Sequence, residues 1–102
     1  MEIPTAPRSK MSEFQLHPTL ADDTIEVAQW PLCRVLLMND SRYPWLILVP
    51  ARADIKEMHD LNAADQTQMI SEIDRASRVL SDLFVPDKIN VGALGNIVQQ
   101  LH

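Results

Sequence analysis

The run PLCRVLLMNDSRYPWLILVP (residues 31–50) is two apolar stretches on either side of one polar turn. Its first stretch, Leu32 to Met38, is almost continuously apolar with Arg34 as the exception, so both faces of this strand should be covered. Pro31 stands at the strand boundary, where its missing N–H does little harm. In DSRYP, Asp40 and Ser41 can bond their own backbone and Pro44 fixes a torsion, which makes a turn. Trp45 to Val49 is a second strand, closed by Pro50. With about five turn residues between them, the two strands form an antiparallel hairpin.

Upstream, TIEVAQW (24–30) alternates at Ile25 and Val27, the period-two mark of a half-buried strand. LHPTLADDT holds one short helical turn, with Pro18 near its start and Thr24 after its end. Residues 1–13, with Pro4 and Pro7, read as a flexible lead-in to a domain over 14–102. Downstream, Asn62 is a good N-cap and Asp65 can answer the exposed N–H groups. Met69, Ile73, Ala76, Leu80 and Leu83 then recur at spacings of four and three, with Ile70 and Phe84 widening the stripe. These residues predict an amphipathic helix of about five to six turns, ended by Pro86. Its polar face (Glu72, Asp74, Arg75, Arg78, Asp82) reads as solvated surface. KINVGALG resumes alternation, and NIVQQLH starts a last strand with Val98, Gln100 and His102 on one face and Ile97, Gln99 and Leu101 on the other. The fold class is α+β: an antiparallel sheet of about five strands and one long helix.

Composition sets outer limits. A chain of 102 residues suits one domain. Nine basic against fourteen acidic side chains give a formal net charge of −5, which disfavours general nucleic-acid binding. No apolar stretch is long enough to span a membrane, and MEIPTAPRSK contains no signal core, so the cytoplasm is the default location. The single Cys33 excludes an intrachain disulfide and fits a packed small hydrophobe better than a nucleophile. His17 before Pro18 and His59 beside Glu57 and Asp60 read as loop and surface residues. No cofactor motif or metal-ligand set is visible; His17, His59 and His102 have no spacing that brings them together as ligands.

His102 stands out for what precedes it. On its strand face lies Gln100, near a Gly95-Asn96 turn. A turn offers free N–H groups, Asn96 and Gln100 offer amide donors, and a neutral imidazole offers a nucleophilic nitrogen. From spacing alone this is a weak signal for a phosphate site, and an edge strand with a polar outer face is the better fit.

LLMNDSRYPWLILVPARADIKEMHDL (36–61), the helix after it and INVGALGNIVQQLH (89–102) together resemble the histidine-triad (HIT) family of nucleotide hydrolases and transferases. The likeness runs from about Leu32 to the end. A typical member reads Gly-Gln-x-Val and then His-x-His-x-His. Gly95, Asn96 and Val98 fall on the Gly, Gln and Val positions, Gln100 on the first histidine, and His102 on the middle one. The resemblance implies that His102 attacks the α-phosphorus of a nucleotide and carries a nucleotidyl group. It also implies that Asn39 contacts ribose, that Asn96 and Gln100 hold phosphate, that Leu32 lines the base pocket, and that Asn90 lies at the pocket edge. The implied ligand is a nucleotide, with dinucleoside polyphosphates and nucleoside phosphoramidates as candidate substrates, and the implied assembly is a homodimer. Departures are Gln100 for the first histidine and Trp45 where many relatives have another histidine. The third histidine falls beyond residue 102, so the resemblance implies a domain incomplete at its C-terminal end. A nucleotide-binding or interaction module that has lost catalysis is the alternative reading.

Overall fold

The structure, a computed structural model, describes residues 13–102; all of the expected lead-in except Glu13 lies outside the described residues. Helix α1 (Pro18–Asp23) is one short turn started by His17, whose Nδ1 accepts the Thr19 N–H at 3.1 Å, with Pro18 in the first helical turn. It stops at Thr24, where the backbone turns extended and β1 (Thr24–Gln29) begins. β2 (Cys33–Met38) and β3 (Leu46–Pro50) follow, and the antiparallel sheet runs β1-β2-β3. The expected hairpin is β2–β3, with Val35 opposite Leu48 and Leu36 opposite Ile47. In its turn, Asp40 Oδ1 accepts the Arg42 N–H at 2.9 Å, the local bond expected of an aspartate there.

β2 is buried on both faces, as its unbroken apolar run requires. Val35 looks toward a core with Leu32, Cys33, Leu48, Leu61, Met69, Ala76 and Leu101. Leu36 looks the other way, toward Leu20, Ile47, Val49 and Val98, with Phe14 and Leu16 packed on the outside. β1 departs from its reading: Ile25 and Val27 are both exposed. The register with β2 shifts between Glu26 and Ala28, so Val27 falls at a bulge on an edge strand, which changes which face each side chain takes.

Helix α2 (Ala63–Phe84) covers the first core. Asn62 Oδ1 accepts the Asp65 N–H at 2.8 Å, the cap read from the sequence. At the other end Val85 sits at φ 46°, in the left-handed region, before Pro86. The buried stripe is narrower than expected: Met69 and Ala76 are enclosed, whereas Ile70, Leu83 and Phe84 are exposed.

Glu72 overturns its placement on the solvated face. It is 2% exposed, and its carboxylate accepts the N–H groups of Leu32 at 2.9 Å and Cys33 at 2.8 Å and the Gln68 amide at 2.7 Å. These two N–H groups lie at the start of β2, in the turn from β1. A buried carboxylate is tolerated only with such partners. One helical turn further, the Arg75 guanidinium lies 4.3 Å from the ring centre of Trp30, in the same turn. Helix α2 is thus fastened to the β1–β2 connection by a charge as well as by packing.

Among the described residues the sheet has three strands rather than about five. The expected strands in KINVGALG and NIVQQLH do not form, and residues 85–102 carry no regular element. Alternation makes a strand only where a neighbour takes up its backbone groups. Here the segment is held by the Leu101 N–H on the Ile55 carbonyl at 3.0 Å, and closes on itself through the Leu94 N–H on the His102 carbonyl at 3.1 Å. Val98 and Leu101 still plug into opposite cores, while Ile97 is exposed. The class stands: α+β, an antiparallel sheet with one long helix.

Candidate active site

Residue 102 is placed by its neighbours. Leu101 is buried and its N–H bonds to Ile55, so the peptide between Gln100 and Leu101 has a fixed plane. In a trans peptide the C=O points opposite to the N–H. The Gln100 carbonyl therefore faces away from Ile55, and His102 Nδ1 meets it at 2.7 Å. A carbonyl can only accept, so Nδ1 must carry a proton in this bond. In the neutral ring Nε2 is then left with its lone pair. The half-buried imidazole has a defined tautomer and a free nucleophilic nitrogen.

The ring lines a cavity of about 590 Å³ between β3, helix α2 and the 89–94 loop. Its walls are mostly apolar, with Leu46, Ile73, Leu80 and Leu94 among them, and Asn90 lines it as His102 does. Trp45 closes the turn end. Tyr43 stacks against it with ring centres 6.4 Å apart and planes 22° apart. Trp45, read as the loss of a polar site residue, is thus a wall of the cavity that His102 borders.

The other residues expected at the site lie off this wall. Leu32 is 1% exposed within the core, packed with Cys33, Val35 and Leu48. Asn39 is exposed at the end of β2, where its N–H donates to the Asp23 carbonyl at 3.1 Å. Asn96 is exposed beside Ile97. The Gln100 side chain turns away: Oε1 accepts the His17 N–H at 2.8 Å and Nε2 donates to the Gln15 carbonyl at 2.9 Å. That amide borders a second, polar cavity of about 410 Å³ with Glu13, Asp54, Lys56 and Gln99. His102 and Asn90 therefore line one cavity, which Leu32, Asn39, Asn96 and the Gln100 side chain do not.

Burial, with the Glu72 carboxylate adding to it, pushes the Cys33 thiol well above its ordinary range, which keeps it neutral and unreactive. Asp60 is held below the usual carboxylate range by the N–H groups of Glu57 and Lys56, which it accepts in the 3-10 turn Met58–Asp60. Arg42 does the same for Asp40 through its side chain, then its backbone N–H. Among the described residues, no three of His, Cys, Asp and Glu converge as a metal ion would need, and no helix is long and apolar enough to cross a membrane. Glu72 was legible in hindsight: it falls three residues after Met69 and four before Ala76, on the buried stripe itself.

Comparison with known proteins gives a consistent result. Residues 21–102 match the family model of the HIT domain. A histidine triad protein from Bradyrhizobium japonicum superposes with a TM-score of 0.86 at 46% identity, over 87% of this chain and 66% of that one. A histidine triad protein from Marinobacter aquaeolei VT8 gives 0.85 at 46% identity, over 87% and 65%. A third, from Sinorhizobium meliloti 1021, gives 0.84 at 48% identity, over 86% and 65%. The chain thus spans just under two thirds of the length of these relatives. No curated protein matches it.

Proposed function

The chain belongs to the HIT domain family, and from that membership we propose that the protein is a nucleotide hydrolase or nucleotidyl transferase with His102 as its nucleophile. The observation that carries the proposal is the 2.7 Å bond from His102 Nδ1 to the Gln100 carbonyl, which leaves Nε2 free beside the larger cavity.

In the first step, the Nε2 lone pair attacks the α-phosphorus of a bound nucleotide. An N–P bond forms and the bond from phosphorus to the leaving group breaks, the electron pair departing with that group, which takes a proton from solvent. The Nδ1–H bond to the carbonyl stabilises the positive charge that the ring gains. Water then attacks phosphorus, the N–P bond breaks, and a nucleoside monophosphate leaves with the imidazole restored. Replacing water by another acceptor gives transfer instead of hydrolysis. Asn90, which lines the same cavity, would donate to a ligand oxygen. In this reading Asn39 and Asn96 contact ribose and phosphate only if their exposed side chains swing toward the ligand. Dinucleoside polyphosphates and phosphoramidates are the proposed substrate classes, with a homodimer in the cytoplasm as the proposed assembly and setting.

The test is incubation with a nucleoside phosphoramidate labelled at the α-phosphate, followed by an acid-labile, base-stable adduct on the protein. Label on residue 102 is expected, with His102→Ala losing it and losing turnover by on the order of 10⁴-fold. Undiminished turnover in that variant would sink the assignment. Nucleotide binding without label would favour the binding module.

A further inference from the structure

Gln100 meets the site through its main chain and the far end of the domain through its side chain. Its carbonyl takes the Nδ1 proton of His102, while its amide makes paired bonds to the backbone of residues 15 and 17. The two sets of bonds act on one residue. The peptide plane that carries the Gln100 carbonyl is held at its opposite edge by the Leu101 N–H on Ile55, a single bond about whose axis the plane can still rock. Rotation about the Gln100 backbone torsions is checked by the amide, which holds the side chain at two points. Each of those bonds is within ordinary hydrogen-bond length, and together they match a donor and an acceptor to the peptide edge of the N-terminal segment.

We propose that Gln100 is a positioning residue for His102: by clasping residues 15–17 it keeps its own carbonyl where it holds the nucleophile in the Nδ1–H tautomer. The proposal rests on His102 being the nucleophile. It also makes the segment 14–17, remote in sequence, a structural part of the site. Phe14 and Leu16 anchor that segment on the second core, so the clasp reaches a packed strap. With the amide removed, the carbonyl is held only through the Leu101 N–H and can rock about that one bond, and an imidazole that loses this acceptor reverts to the Nε2–H tautomer that free histidine favours. Nε2 then carries a proton and has no lone pair for phosphorus.

The first experiment reads the tautomer directly, by ¹⁵N chemical shifts of the His102 ring, in the unmodified protein and three variants. Gln100→Leu loses both amide bonds and should shift the ring toward Nε2–H, with nucleotidyl labelling slowed by about 10²-fold at saturating substrate, the scale of a misplaced reacting group. His17→Pro removes the N–H donor while leaving Gln100 in place. The native φ of −56° at residue 17 suits proline, so this variant tests the clasp even if Gln100→Leu folds poorly. It should shift the tautomer in the same direction by a smaller amount. His17→Ala keeps the N–H and loses the ring with its cap on Thr19, and should leave the His102 tautomer as in the unmodified protein even where Tm falls. An unchanged tautomer in both Gln100→Leu and His17→Pro, with melting temperature lowered or not, would overturn the proposal. If the unmodified protein takes no label, the nucleophile reading fails, and the ring shifts still decide whether Gln100 positions His102.

Discussion

Replacing Glu72 by leucine tests whether a charge, and not packing alone, fastens helix α2 to the sheet. The substitution keeps the volume close but leaves the N–H groups of Leu32 and Cys33 without an acceptor in a site that is 2% exposed. Backbone donors cannot be mutated away, so the usual compensation for removing a buried ion pair is absent. Each of the two orphaned donors costs about 1–3 kcal/mol, and the new leucine returns about 1.5–3 kcal/mol through burial of its side chain. The net loss should be about 2 kcal/mol, a large share of the roughly 5–15 kcal/mol that holds a domain folded. At about 4–8 °C per kcal/mol for a domain of this size, Tm should fall by roughly 8–16 °C. Glu72→Gln keeps one oxygen but turns an NH₂ toward a second donor, and should fall between. Asp74→Ala, which breaks an exposed ion pair with Arg78 on the same helix, should leave Tm nearly unchanged. Thermal unfolding by circular dichroism reads all three. A Glu72→Leu loss under about 4 °C would refute the reasoning, because two buried N–H groups would then be finding partners the structure does not contain.

Two other predictions concern stability. The thiol of Cys33 is pushed above its ordinary value of 9.0, so the fold keeps a proton that the unfolded chain gives up; stability is complete below about pH 9 and lost as pH rises, by up to about 1.4 kcal/mol per pH unit. Denaturant titrations at pH 8 and pH 10 should show the loss, Cys33→Ala should lack it, and the native thiol should resist alkylation at pH 8. Val85→Gly should raise stability by about 0.5–1 kcal/mol, because valine at φ 46° is strained in the left-handed region while its side chain, 83% exposed, makes little packing to lose. An unchanged or lower Tm for that variant would count against the strain.

Legibility followed how local each cause was. The β2–β3 hairpin, the Asn62 cap and the stop at Pro86 each depend on residues within a few positions, and each appears where the sequence places it. The two last strands depended on pairing partners that alternation cannot supply, and in their place the chain is pinned by single bonds. Glu72 misled because a charged residue on a helix is usually solvated; its partners are 40 and 39 residues away in sequence. At the site, the family pattern pointed to His102, and only the peptide plane beside it gives the tautomer. Gln100 was recognised as polar and near the histidine, but the direction of its side chain belongs to the tertiary structure: the groups it meets lie 83 and 85 residues back.

That span sets an order of events as the chain folds. Closing a loop of 85 residues costs roughly 4 kcal/mol of chain entropy, against under about 2 kcal/mol for a short hairpin such as β2–β3. The hairpin can form on its own, whereas the amide of Gln100 can find residues 15 and 17 only after sheet and helix have drawn the two ends together. Fastening of His102 is then a late step, and the backbone amide of His17 becomes its clock: the moment that proton stops exchanging with solvent is the moment the imidazole is locked.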